Sequence, residues 1–398
     1  MFEKLPTLQA DPILGLVAQC RADTNPNKID LGVGVFKDQN GLTPVLKAVK
    51  EAEIRYLQEE NSKAYLPAGG TERFISLVNE LLFGQNHPVI KDNRVATIQA
   101  TGGCGALRVA AQVIQRANPN SKIWVSDPSW PNHVPLLGSS GLEFRQYPYY
   151  DASKNEVDFD AMMAALEDAS TGDFVLIHGS CHNPTGADLS QQQWQIVTEF
   201  VQNRGLIPFI DMAYLGFGES IDADAFGLRY MAENLPELVL ANSFSKNFGL
   251  YRERTGTVSI VVKDPAQVSL VTNQLLNVAR EIYSMPPAHG AALVETVLAD
   301  PILKDLWIEE LAQMRGRIIE MRHALVDGIQ KAGCDANFDF IKKQNGMFSF
   351  LGVNENQVEE LKTAYSIYMT KSSRISIAGI NNNNLPYLCE SIAKVLAK

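Results

Sequence analysis

Ser243-Phe244-Ser245-Lys246-Asn247-Phe248-Gly249-Leu250, continued by Arg252-Glu253-Arg254-Thr255-Gly256, decides how this chain is read. The stretch follows the apolar run Leu238-Val239-Leu240 and sets one lysine in a serine- and glycine-rich turn. An arginine stands eight residues beyond that lysine. An amine so placed can condense with an aldehyde, and Ser243, Ser245 and Arg254 suit a phosphate group. A Ser-x-Ser-Lys match alone is weak, since most loop lysines are solvated charges. Its weight comes from what stands at the ends of the neighbouring strands.

Short β-branched runs predict strands at 95–99, 123–126, 174–178, 207–211, 238–242 and 257–262. Helical patterns at 106–117, 159–169, 191–203 and 266–280 alternate with them. Such alternation predicts an α/β domain with a mostly parallel sheet, whose ligands bind beyond the carboxyl ends of the strands. A long, charge-laced helical pattern at 302–332 leaves this domain and starts a smaller one, with strands expected at 347–350 and 374–377. The first thirty to forty residues carry a Gly-Val-Gly turn at Gly32 to Gly34 and little regular pattern, and are expected to pack with the C-terminal part.

Composition sets the limits. The chain has 398 residues, 45% hydrophobic and 20% charged, ample for a large core and more than one domain. The net charge of −10, with no Lys/Arg cluster to offset it, argues against a nucleic-acid partner. No apolar run is long enough to span a membrane and no secretion signal opens the chain, so a cytoplasmic location is expected. Cys20, Cys104, Cys181, Cys334 and Cys389 are widely spread without a Cys-x-x-Cys pair, which argues for reduced thiols and no zinc framework.

Four further segments follow strands. Thr101-Gly102-Gly103-Cys104-Gly105 opens a helix, where glycines and the helix N-terminus can cradle an anion; a plain strand-to-helix turn is the competing reading. It lacks the Gly-Lys-Ser/Thr of a Walker loop and the spacing of a dinucleotide fingerprint. Asp211 ends an apolar strand with Tyr214 three residues on, fit to hold a proton on a heterocyclic nitrogen and to donate to a phenolate, or else to cap a helix and fill a core. His178-Gly179-Ser180-Cys181-His182-Asn183-Pro184-Thr185-Gly186 is a sharp turn that can project Asn183. His178 and His182 precede a turn with no Glu between them, so no metal site is expected. Ser126-Asp127-Pro128-Ser129-Trp130-Pro131-Asn132-His133 can offer the flat face of Trp130 to an aromatic cofactor. Together with Lys246 these groups are the equipment for pyridoxal phosphate: phosphate cradle, ring stack, ring-nitrogen partner, phenolate partners and amine.

At this point the chain resembles the aspartate/aromatic aminotransferases, class I enzymes of the fold-type I pyridoxal-phosphate group. The likeness runs essentially end to end and is strongest at Asp11-Pro12-Ile13-Leu14, Asn183-Pro184-Thr185-Gly186, Ser245-Lys246-Asn247-Phe248-Gly249-Leu250-Tyr251, Pro286-Pro287-Ala288-His289-Gly290 and Gln344-Asn345-Gly346-Met347-Phe348-Ser349. The resemblance implies a large domain, 44–313, with a mostly parallel seven-stranded sheet flanked by helices. A smaller α/β domain, 13–43 and 314–398, and an N-terminal arm, 1–12, complete it. It implies Lys246, Asp211 and Tyr214 as catalytic residues: the Schiff-base lysine, the ring-nitrogen partner supported by His133, and a contact of the ring oxygen. Asn183 would share that contact and Trp130 would stack on the ring. Gly102, Gly103, Cys104, Ser243, Ser245 and Arg254 would surround the phosphate, with Tyr65 reaching it from a neighbouring subunit. Arg374 would hold the substrate α-carboxylate with Asn183 and Trp130, under backbone near Gly34. Arg280, also from the neighbour, would hold a side-chain carboxylate.

The implied activity is pyridoxal-phosphate-dependent transfer of an amino group between aspartate or aromatic amino acids (Tyr, Phe, Trp) and 2-oxoglutarate, by a ping-pong mechanism in a homodimer with shared active sites. Some positions depart from the family pattern. Cys104 stands where a hydroxyl is frequent, and Ala64 and Met285 stand near the distal arginine where strict aspartate enzymes are often polar. Val35, Lys37 and Thr43 follow the aspartate-type pattern, so a strict aspartate aminotransferase is the alternative. A decarboxylase or β-lyase fits Arg280 less well, and a non-catalytic binding protein would not need Lys246, Asp211 and Arg374 together.

Overall fold

The computed structural model describes residues 1–5 and 12–397. Asp11 and half of the expected arm 1–12, residues 6–11, lie outside the described residues. The chain forms two compact units, one of Pro44–Asn183 and Ala187–Gly316, the other of Met1–Thr43, Pro184–Gly186 and Arg317–Lys398.

The first unit is built on a seven-stranded sheet. Its strands are β1 (Val95–Thr101), β2 (Lys122–Asp127), β3 (Glu143–Pro148), β4 (Phe174–His178), β5 (Ile207–Met212), β6 (Leu238–Ser243) and β7 (Thr255–Val261), in spatial order β1-β7-β6-β5-β4-β2-β3. All pairings are parallel except those of β7, which runs against both β1 and β6. The central strands β4, β5 and β6 are almost wholly buried, as their continuous apolar sequences require of a sheet covered on both faces. On one face Ile98, Val125, Leu176, Phe209 and Ala241 pack against Ala106, Val109 and Ala110 of helix Gly102–Ala117 and Leu275 and Val278 of helix Val268–Ile282.

Residue patterns predicted six of these strands and missed β3. Its sequence, EFRQYP, is a charged edge strand with one fully buried position, Tyr147, so no apolar run announces it. The helix expected from 106 begins at Gly102, directly on the strand end. The pattern at 266–280 is a short 3-10 turn, Pro265–Gln267, leading into helix Val268–Ile282. Helix Gln191–Arg204 shows why its bounds were legible: Ser190 and Gln193 form a reciprocal capping box, and Gly205 closes the helix at φ +63°.

In the second unit the little regular pattern expected near the N-terminus gives way to helix Pro12–Ala22 and strand Ile29–Asp30, which pairs in parallel with Ile367–Tyr368. Phe348–Phe350 pairs antiparallel with Arg374–Ser376. The buried Arg322 guanidinium donates to the carbonyls of Ile341, Asn345, Gly346 and Phe348 and to Ser349 Oγ, fixing the approach to that pair. Among the described residues no helix is long and apolar enough to cross a membrane.

Candidate active site

Gly102, Gly103, Cys104, Trp130, Asn183, Asp211, Tyr214, Ser243, Ser245 and Lys246 stand at or just past the carboxyl ends of β1, β2, β4, β5 and β6, which point the same way. Sheet register places Asp211 of β5 beside His178 of β4 and Ala241 of β6. Asp211 is buried, and His133 Nε2 donates to its Oδ2 at 2.9 Å. Ser129 Oγ lies 2.9 Å from the other ring nitrogen of His133, so both ends of the imidazole are fixed. Burial pushes the Asp211 carboxyl up, but the His133 hydrogen bond and the nearby His133, His178 and Lys246 outweigh it, and the net shift is downward. Asp211 is therefore an ionised carboxylate inside the protein.

Lys246 follows β6 in the quoted turn. Its Nζ lies 5.1 Å from the centre of the Tyr214 ring. Burial lowers its proton affinity more than Asp211 and Cys104 raise it, and Arg254 lowers it further. This amine gives up its proton more readily than a solvated lysine. Trp130 packs edge-on against His133, with ring centres 5.2 Å apart.

A cradle lies next to the lysine. Gly102 has φ +69°, and a Cβ there would stand 2.6 Å from Arg254 Nη2; a Cβ on Gly103 would stand 3.2 Å from Ser243 Cβ. Helix start, Ser243 and Arg254 therefore converge, and glycine keeps the space between them open. Ser243 Oγ donates to Ser245 Oγ at 3.1 Å, and Arg254 Nη1 donates to Ser245 Oγ at 3.3 Å. Backbone N–H groups, two hydroxyls and a guanidinium lie together here and could hold an anion. The Cys104 thiol in this turn is pushed up by burial, against the pull of Arg254 and Lys246, so it stays protonated and is only a weak donor.

Asn183 is buried in the turn after β4. Tyr65 is 89% exposed, and Arg280 is exposed at the end of helix Val268–Ile282, its Nη1 donating to Ser284 Oγ at 3.5 Å. Neither hydrogen-bonds to the Lys246 cluster among the described residues. In the other unit, Arg374 Nη2 donates to the Gly32 carbonyl at 2.8 Å and its guanidinium lies 4.3 Å above the Phe348 ring. A Cβ on Gly34 would stand 2.8 Å from Phe348 Cζ.

Two further groups, Ser129 and His178, carry no functional signal in the sequence. Ser129 was legible only as a Ser four residues before His133 in a post-strand loop. In the sequence His178 stands out only by its spacing from His182. The His178 ring stacks on His133 with centres 5.1 Å apart, and both its buried nitrogens lack a hydrogen-bond partner among the described residues. His133, His178 and Asp211 bring ligand atoms within 4.8 Å of one another. Both nitrogens of His133 are already engaged, so the cluster reads as support for the carboxylate.

Residues 26–392 match the sequence model of a family described as aminotransferase class I and II. The chain is 46% identical to the aspartate aminotransferase of Salmonella typhi over all of both chains. It is 42% identical to the aromatic-amino-acid aminotransferase of Pseudomonas aeruginosa, covering 100% of this chain and 99% of the relative. The crystal structure of the aromatic-amino-acid aminotransferase from Burkholderia pseudomallei, covalently bound to pyridoxal phosphate, is similar at a TM-score of 0.98 and 44% identity, covering 100% and 99% of the two chains. A family match across nearly the whole length, on a sheet whose strand ends carry a buried carboxylate, an amine and an anion cradle, makes this chain a member of the class I and II aminotransferases.

Proposed function

We propose that this aminotransferase uses pyridoxal 5'-phosphate to move amino groups between aspartate or aromatic amino acids and 2-oxoglutarate, by a ping-pong mechanism. The observation that carries the reading is the buried pair of Asp211, held ionised, and Lys246, with lowered proton affinity, beside an anion cradle. The donor set fits the cofactor: an anion site for its phosphate, a carboxylate for its ring nitrogen and an amine for its aldehyde. When bound, the cofactor supplies the aldehyde that takes up the amino group and a ring that withdraws electrons. Asp211, oriented by His133 and Ser129, keeps a proton on the ring nitrogen. Lys246 would supply the amine that holds the aldehyde carbon, and its lowered proton affinity would suit it to move a proton at the substrate Cα. Ser243, Ser245, Arg254 and the backbone of Gly102, Gly103 and Cys104 hold the phosphate. Asn183 and Tyr214 would hold the ring oxygen, and Trp130 would offer its flat face to the ring. Arg374, with Gly34 backbone, holds the α-carboxylate; a guanidinium matches that planar group better than an ammonium does.

The same reading includes a cytoplasmic homodimer in which Tyr65 and Arg280 serve the neighbour's site. Exposure of Ile54, Leu57, Tyr65 and Leu66 within one short stretch supports it, because a cluster of exposed apolar side chains marks a contact surface. Relatives bearing both names support the dual substrate range, as do Ala64 and Met285 near the distal arginine. The alternative, a strict aspartate enzyme, draws on Val35, Lys37 and Thr43. One panel decides: kcat/KM for aspartate and phenylalanine, each with 2-oxoglutarate, in the unmodified enzyme and in Arg280→Ala. The dual reading expects turnover of both, and a loss of about a hundredfold or more for aspartate against less than about tenfold for phenylalanine. Absence of phenylalanine turnover leaves the strict aspartate enzyme.

A further inference from the structure

Asp188 belongs to none of the roles above. Its carboxylate nevertheless closes the turn that carries Asn183. Oδ2 accepts the Cys181 N–H at 2.9 Å and Oδ1 accepts the His182 N–H at 2.8 Å, two successive backbone donors taken by one side chain. Cys181 is buried and held at φ +54°, a left-handed conformation that a residue with a Cβ adopts at a cost. Such a conformation persists only where the surroundings over-determine it.

The surroundings form a ring of contacts. The His182 imidazole stacks on Tyr149, centres 4.0 Å apart at 15°, and its Nε2 lies 3.1 Å from Ser126 Oγ. The Tyr149 hydroxyl donates to the carbonyl of Ala187, the residue before Asp188, at 2.8 Å. Tyr149 thus ties both ends of the turn, and Asp188 crosses from one end to the other. Asn183 hangs between these anchors and is buried. The His182 ring also meets His178 edge-on at 4.2 Å, and His178 stacks on the His133 that holds Asp211. The Asp188 carboxylate is thus linked to the turn that carries Asn183 and, through three imidazoles in contact, to Asp211.

We propose that Asp188 is a positioning residue for the transamination site: its two hydrogen bonds lock the left-handed Cys181 so that Asn183 is presented to the cofactor ring oxygen. This rests on the assignment of that contact to Asn183. The test uses full-length protein loaded with pyridoxal phosphate, and compares Asp188→Asn, Cys181→Gly and the double variant with the unmodified enzyme. Asp188→Asn keeps the shape but turns one acceptor into a donor facing an N–H. It should lower kcat/KM about tenfold or more and move the pH midpoint of the bound cofactor's visible band by about half a unit or more, the effect of a weakened hydrogen bond to the ring. Cofactor release should be faster as well. In the Cys181→Gly background, where glycine takes the left-handed backbone without help, Asp188→Asn should have less than about half that effect. A lower melting temperature with an unmoved band midpoint and kcat/KM within about twofold would make Asp188 merely structural and overturn the inference. Equal effects in the two backgrounds would also overturn it, since the clamp would not act through Cys181. A missing visible band in the unmodified protein would overturn the functional reading itself, a separate failure seen before any variant is made.

Discussion

Burying the Lys246 ammonium lowers the stability of the cofactor-free protein. Burial lowers its proton affinity below the ordinary lysine value of 10.5. Below its folded-state value both states carry the charge, and the fold bears the penalty of burying it. As pH rises towards 10.5 the folded chain has released its proton while the unfolded chain has not, so stability increases over that window. Lys246→Met should therefore raise the melting temperature of cofactor-free protein at pH 7 by a few degrees, with the gain shrinking towards pH 10. Melts at both pH values check this; an equal gain at each would remove burial of charge as the cause. Asp211 has the opposite sign. Its carboxyl is held below 3.8, so its contribution is complete above that value and fades only in strong acid. The chemical type of each group was legible from its place after a strand. The balance of burial and neighbours was not, because His133, itself held by Ser129, and His178 reach Asp211 from segments far away in the sequence.

Among the elements, the junction of β1 with helix Gly102–Ala117 makes the sharpest demand on residue type. Gly102→Ala would force a Cβ into the left-handed region, at about 1–3 kcal/mol, and into contact with Arg254 Nη2. The dissociation constant of pyridoxal phosphate should rise about tenfold or more, while far-ultraviolet circular dichroism stays unchanged. Unaltered cofactor affinity would remove Arg254 and this turn from the phosphate site. Sequence showed the element itself well: Val95 to Thr101 is a β-branched run, and Thr101-Gly102-Gly103 punctuates it. Central strands were legible because burial on both faces makes them continuous apolar runs. Edge strand β3 and helix Pro12–Ala22 were not. In the first, exposed charged residues interrupt the apolar positions, and the second has Gly15 within it and a weak apolar face. The resemblance supplied a seventh strand that residue patterns did not.

At the scale of the molecule, the shared-site reading can be tested by complementation. Lys246→Ala and Arg280→Ala should each have little activity towards aspartate. A hybrid dimer would pair an intact lysine from one subunit with an intact arginine from the other at one of its two sites. After random exchange, aspartate activity should return to about a quarter of the unmodified level. No return, with exchange demonstrated by differently tagged subunits, would confine each site to one chain. The make-up of the smaller unit has a consequence for synthesis. It is assembled from three separate stretches of chain, and strand Ile29–Asp30 finds its partner only at Ile367–Tyr368. During translation, at about 5–20 residues per second, the first segment emerges and then waits some tens of seconds for the last. Leu31 and Phe36, buried in the finished protein, are uncovered throughout that interval. The nascent chain therefore carries an unpaired strand and uncovered apolar side chains past the whole growth of the sheet unit.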